Sequence, residues 1–152
     1  MTSPAHTPDG AALVELFLAV CQFHGVLVTA GDKFSAVVGL TMARWQVLGA
    51  LYRVGRPETV SNIARTMGLA RQSVQRTADD LEKLGLVVYE TNPHHKRALL
   101  MRLTPEGAEA FRHIVEMRAP WVNALAAELD AGDIAVATRI LKSLRQKFEE
   151  KM

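Results

Sequence analysis

The chain has 152 residues, 49% of them apolar and 6% aromatic, and this suits one compact, mostly helical domain rather than a disordered tail, a sandwich or a barrel. Its formal charge of +2 is too small to hold an anionic polymer by bulk attraction, so any nucleic-acid contact needs locally arranged cations. A single cysteine, Cys21, excludes an internal disulfide. The opening MTSPAHTPDG lacks the basic-then-apolar layout of a secretion signal, so the expected location is the cytoplasm.

Thr7 and Pro8 read as the N-cap and first position of a helix in which Leu13, Leu16, Phe17, Val20 and Leu27 keep helical phase. Val14, Leu18, Ala19 and Val26 make that helix apolar on several faces, more than a small core can cover from one side, which points to burial by a second chain. Glu15, Gln22 and His24 interrupt the apolar run, and no basic flank follows, so no membrane partner is expected. Gly31, Asp32 and Gly39 predict a break in TAGDKFSAVVG (29–39), with a further short helical piece.

Thr41 caps a second helix, MARWQVLGALYRV, whose expected inward set is Trp45, Leu48 and Leu51 with Tyr52 or Val54; Gly55-Arg56-Pro57 stops it. Thr59 caps a short third helix that ends at Gly68, and a fourth follows in ARQSVQRTADDLEKLGLV (70–87). Two such helices joined by a glycine-containing turn outline a helix-turn-helix. LVVYET and ALLMRLT then read as strands of a hairpin with NPHHKR at its tip. Thr104-Pro105-Glu106 opens a long helix with Phe111, Ile114, Val115, Trp121, Leu125 and Leu129 in phase and Pro120 as a potential bend; after Asp130 to Asp133 a last helix turns Ile134, Ala137, Leu141, Leu144 and Phe148 inward. The expected fold class is therefore mainly α: a winged helix-turn-helix in a single domain 1–152.

On the fourth helix Val74, Ala78 and Leu81 share one face, while Gln72, Gln75, Arg76, Asp79 and Lys83 lie opposite. The basic residues precede the acids, against the preference of the helix dipole, as if the first turns met something anionic. The start of a second helix of this kind enters the major groove of double-stranded DNA, where Arg forks onto guanine and Gln pairs bidentately with adenine. Gln72, Gln75 and Arg76 are thus candidate base readers, and Arg71 and Ser73 candidates for base or phosphate. At the hairpin tip His94, His95, Lys96 and Arg97 are placed to reach phosphate or a narrow minor groove. Read separately, the helix face and the tip also fit ordinary solvated surface; their adjacency favours DNA.

With LT before WQVLGAL (40–51), VSNIARTMGL (60–69), SVQRTADDLEKLGLV (73–87) and KRALLMRLTPEG (96–107), the chain resembles the MarR family of bacterial transcription regulators across about residues 40–110. The resemblance implies a homodimer interlocked through its first and last helices (8–38 and 104–150), a winged helix (41–103) on each subunit, and repression or activation at a pseudopalindromic operator. The family's wing pattern Asp-Pro-x-Asp-Arg-Arg-Ala stands here as Asn92-Pro93-His94-His95-Lys96-Arg97-Ala98, so only Arg97 keeps the planar guanidinium fork. The loss of the second Asp removes an ionic brace expected in the wing, and it leaves two histidines side by side at the tip.

The resemblance further implies a small aromatic or phenolic effector, for which His24, Met42, Trp45 and Trp121 are candidate lining residues, though all four also suit a plain core. A cysteine on the first helix is a peroxide sensor in some relatives; Cys21 has only His24 nearby in sequence, which fits an inert thiol better. No catalytic, cofactor or metal motif is present: there is no Gly-rich phosphate loop, no His-x-x-x-His or Cys-x-x-Cys spacing and no nucleophile elbow. The alternatives left open are peroxide sensing through Cys21, a metal site assembled across a dimer, and a winged helix used as a protein-interaction module.

Overall fold

The computed structural model describes residues 6–151; the first five, which begin the segment assessed above for a secretion signal, and Met152 lie outside it. The described residues form α1 (Pro8–Ala36), α2 (Met42–Val54), β1 (Glu58–Thr59), α3 (Val60–Met67), α4 (Arg71–Lys83), β2 (Val87–Glu90), β3 (Leu100–Leu103), α5 (Pro105–Ala127) and α6 (Ala131–Lys151). The fold is mainly helical, with six helices and a small antiparallel wing sheet of order β1-β3-β2 among these residues. Contacts divide the chain into two compact units, 1–114 and 115–152.

In the first unit, threonine side chains start the first three helices. Thr7, Thr41 and Thr59 accept from the N–H groups of Gly10, Arg44 and Asn62. Gly55 and Gly68 close α2 and α3 at φ of 69° and 68°, the left-handed conformation that ends a helix without a Cβ clash.

The break expected in 29–39 falls at the end of that stretch, and no separate short helical piece forms in it. α1 runs unbroken to Ala36, and only Gly39, at φ 71°, turns the chain. Gly31 and Asp32 serve packing instead of interruption. A Cβ on Gly31 would stand 2.6 Å from Met42 Sδ, and Asp32 Oδ1 accepts the Met42 N–H at 2.7 Å, so these residues dock the end of α1 onto the start of α2.

The core sits around α2, which buries Met42, Val47, Leu48, Gly49, Ala50 and Leu51. Because α2 is central, it is covered on more than the single stripe expected: Leu48 and Leu51 are inward as predicted, Trp45 and Val54 are half-buried, and Tyr52 is exposed. Gly49 is a notch for α5. A Cβ there would meet Phe111 Cε2 at 2.6 Å, and the Phe111 ring lies between Trp45 and Tyr52, with centroids at 6.3 and 5.0 Å.

The wing holds one strand more than expected. β1 pairs Glu58 with Met101 and Thr59 with Leu100, a two-residue strand too short to announce itself by alternation. Burial pushes the Glu58 carboxyl up, but the Thr59 N–H, the Asn62 amide and the Arg56 charge outweigh it and hold the group below the ordinary carboxylate value. The opening of α5 is locked to the end of α4: Thr104 Oγ1 donates to the Gly85 carbonyl at 2.8 Å and accepts from the Gly107 N–H at 3.0 Å, while the Thr104 N–H donates to Leu86 O.

The second unit holds the C-terminal part of α5, which is helical through Pro120, and α6. Within the single chain no residue of α6 is fully buried, and of its expected inward set Leu144 is half-buried. Trp121, Val122, Leu125, Leu129, Ile134, Ile140, Leu141 and Phe148 are all between 40% and 62% exposed. Helical phase thus gives an apolar stripe that the single chain leaves open.

Gly107→Ala is expected to lower stability by about 2 kcal/mol or more, because overpacking typically costs about 1–3 kcal/mol and the added Cβ would stand 2.0 Å from the Leu86 carbonyl oxygen. Denaturant melts of the two proteins measure it.

Candidate nucleic-acid interface

α4 has two faces with different tasks. Val74, Ala78 and Leu81 are essentially inaccessible and pin the helix to the core, as the sequence pattern requires. Arg71, Gln72, Ser73 and Arg76 are exposed along the first turns. Ala70, at the N-cap, contributes no side-chain acceptor, unlike the threonines of α1 to α3. The exposed start of α4 therefore joins two guanidinium groups to the positive end of a 13-residue helix, an arrangement that favours an anion.

The acids that follow are turned to internal bracing. Asp80 Oδ2 accepts from Arg44 of α2 at 3.1 Å, tying the two helices together, with Lys83 near its other oxygen at 3.9 Å. Asp79 Oδ1 accepts from Gln75 Nε2 at 2.7 Å and from the Tyr89 hydroxyl at 3.2 Å. The charge order along α4 thus has an intramolecular cause that the sequence alone did not show. Burial, followed by the Asp79 charge, pushes the Tyr89 phenol up to about 12, so it stays a hydrogen-bond donor across the physiological range.

Gln75 differs from its neighbours in being half-buried and fixed. Its Nε2 donates both to Asp79 and to Tyr89 Oη, the latter at 3.0 Å. A cleft of about 250 Å³ opens here between α4 and the wing, lined by Ser61, Arg71, Gln75, Asp79, Tyr89 and Arg97 among others. The cleft brings Arg97 of the wing together with Arg71 and Gln75 of the helix. Lys96, His94 and His95 are exposed at the tip.

The wing turn is held locally by Asn92, which stands where the family pattern has its first Asp. Asn92 is 8% exposed, its Oδ1 accepts the His94 N–H at 3.0 Å, and its carbonyl accepts the His95 N–H. Along the strands Arg102 pairs with Glu90 at 3.0 Å. Asn92 is visible in the sequence as a turn former; Tyr89, Asp79, Asp80 and Arg44 carry no motif and are recognisable only once packing sets them side by side.

Met42 is buried on Gly31, Trp45 is half-buried beside Phe111, and His24 is exposed on α1. Trp121 belongs to the second unit and is exposed within it. Cys21 is an exposed free thiol on α1.

Comparison with known proteins identifies this architecture. The family profile described as the MarR family matches residues 38–98, the span from the end of α1 to the wing tip. An uncharacterised protein of Mycobacterium tuberculosis is 36% identical over 134 residues, covering 88% of this chain and 90% of that protein. The chain belongs to the MarR family. It is a winged helix-turn-helix, DNA-binding transcriptional regulator, and not an enzyme. Among solved structures, a mutant MarR from E. coli complexed with operator DNA shares the fold at a TM-score of 0.77, with 20% identity over 88% of this chain and 95% of that one. The organohalide-sensing regulator RdhR, in a form bound to 2,4-dichlorophenol, superposes with a TM-score of 0.79 at 17% identity, covering 97% of this chain and 87% of that one.

Both side chains of the Arg44–Asp80 pair are about one-third exposed, so solvent screening limits its contribution. A double-mutant cycle of Arg44→Ala and Asp80→Ala in thermal melts is expected to return a coupling of about 1 kcal/mol or less.

Proposed function

We propose that this MarR-family regulator works in the cytoplasm as a homodimer that sets two α4 helices in successive major grooves, about 34 Å apart, on a pseudopalindromic operator. The observation that carries the reading is the exposed start of α4. Arg71, Gln72, Ser73 and Arg76 project from a helix whose opposite face is locked into the core. Arg76 and Gln72 contact base edges, Arg71 and Ser73 contact bases or phosphate, and Lys96 and Arg97 carry the wing to the neighbouring backbone or minor groove. The presence of operator DNA in the E. coli MarR complex supports this assignment for a chain of the same fold.

Dimerisation is supported by surface that a single chain leaves wet. On α1, Leu18, Val20, Phe23 and Val26 are 38% to 67% exposed, and the second unit displays the apolar stripe described above. α1 is long and apolar enough to cross a membrane by length and composition. In a DNA-binding regulator its exposed face is instead covered by a second copy, so that α1 and the helices after the wing form the dimer while residues 41–103 read DNA.

The third element of the proposal is modulation by a small aromatic or phenolic effector, in line with the dichlorophenol held by RdhR. Trp45, half-buried beside Phe111, is its reporter: saturable quenching by a phenol supports the reading, and a flat response to a broad panel removes it. Cys21 lies on the apolar helix assigned to the dimer, and no Lys or Arg occurs between residues 11 and 31 to favour a thiolate, so peroxide sensing is the weaker reading.

Arg76→Ala is expected to weaken operator binding by about 1–3 kcal/mol and to relax base preference, whereas Lys96→Ala weakens all duplexes alike and lowers the salt slope by about 1. Titrations at two salt concentrations check both, and no effect from either change removes the assignment. Light scattering is expected to give the mass of a dimer for the wild type and of a smaller species for Phe23→Glu, since a buried unpaired carboxylate opposes association; a monomeric wild type rules the dimer out.

A further inference from the structure

The hydrogen bonds around Gln75 change what this residue can read on DNA. The Gln75 amide has two N–H donors and one carbonyl acceptor. Its Nε2 faces Asp79 Oδ1 at 2.7 Å and Tyr89 Oη at 3.0 Å, while Tyr89 Oη also faces Asp79 Oδ1 at 3.2 Å. One assignment of protons gives each contact of this triangle a hydrogen of its own. An ionised carboxylate only accepts, so the atom of Gln75 beside it is the nitrogen, not the oxygen. The phenol gives its single proton to Asp79 and receives the second amide proton. Rotating the amide by half a turn would set a carbonyl oxygen against a carboxylate, so the orientation is held by repulsion as well as by bonds. Both donors are consumed inside the protein. Only Oε1 is left for an outside partner.

We propose that Tyr89 and Asp79 clamp Gln75 so that it reads DNA as a hydrogen-bond acceptor alone, selecting an exocyclic amino group, adenine N6 or cytosine N4, on the base it faces. This rests on the DNA-reading role proposed above. It replaces the bidentate pairing with adenine expected from the sequence, because that pairing needs an amide N–H that this structure has already committed. Adenine and cytosine are the two bases that display an amino donor in the major groove; guanine and thymine display O6 and O4 acceptors there, which would face Oε1 as like against like. Tyr89 and Asp79 are positioning residues. They belong to β2 and to the inner flank of α4 and act on base choice through Gln75. The clamp also couples the wing to the reading helix, since Tyr89 sits on the strand leading to the tip.

The test is selection of bound duplexes from a random DNA pool by the wild type, Gln75→Ala, Tyr89→Phe and Asp79→Ala in parallel. Gln75→Ala is expected to erase base preference at one position in each half-site and so to identify the base that Gln75 faces. At that position the wild type should favour adenine or cytosine over guanine or thymine by about tenfold, the effect of an ordinary mismatch. With the clamp opened by Asp79→Ala, the ratio should fall to within about twofold, with the other positions unchanged. Tyr89→Phe, which deletes one oxygen and keeps the ring, should lower it by at least about twofold, and it decides the matter should Asp79→Ala fail to fold. The side-chain amide signals of Gln75 in nitrogen-15 spectra of the free protein should shift in both clamp variants. The clamp falls if Gln75→Ala changes no position, if guanine or thymine is preferred there, or if Tyr89→Phe and Asp79→Ala keep the wild-type ratio. A wild type that selects no inverted repeat overturns the DNA-reading assignment first, and the clamp with it.

Discussion

The burial of Val74, Ala78 and Leu81 is the constraint from which the rest of the molecule follows. Three small or medium apolar side chains on one face of α4 let the helix lie close on the core around α2 and α3, and their complete burial sets its rotation about its own axis. Once that rotation is set, Arg71, Gln72 and Arg76 have nowhere to point but outward. The same packing brings Asp80 to Arg44 and Asp79 to Tyr89, so polar contacts refine an orientation that apolar contacts have already chosen.

A polar helix in the service of DNA must be both exposed and stiff. Long side chains lose rotamer freedom when they bind, and pre-ordering them reduces that cost. Here the flank of α4 toward the wing is ordered before any ligand arrives, through Gln75, Asp79 and Tyr89, while Gln72 and Arg76 stay exposed and able to adjust. The wing is braced by different means at its base and at its tip. Thr104 and Gly107 lock the return strand to the end of α4 at the base, and Asn92 folds the turn at the tip, so the basic tip residues extend from a held loop.

The two compact units divide the apolar surface unequally. The first has a buried core around α2 and also leaves Leu18, Phe23 and Val26 of α1 exposed, whereas no residue of α6 in the second is buried. Apolar surface of this extent on one chain is the usual mark of an association face. Under the proposed dimer such a surface has a clear use, because the separation of the two reading heads is then set by helices that do not touch the DNA.

The elements themselves were legible in the order of residues. Threonine caps, glycine stops, helical spacing and β-branched runs are local signals, and they placed α2, α3, α4, both hairpin strands and the start of α5. The two-faced character of α4 was equally local, since it needs only the helical repeat. The tertiary structure alone decided what Gly31, Asp32, Gly49 and Gly107 are for, because a glycine that admits a neighbouring side chain looks in sequence like one that ends a helix. It also decided that the single chain leaves the α6 stripe open and that Gln75 Nε2 is engaged by Asp79 and Tyr89, because burial and hydrogen-bond partners are set by residues distant along the chain.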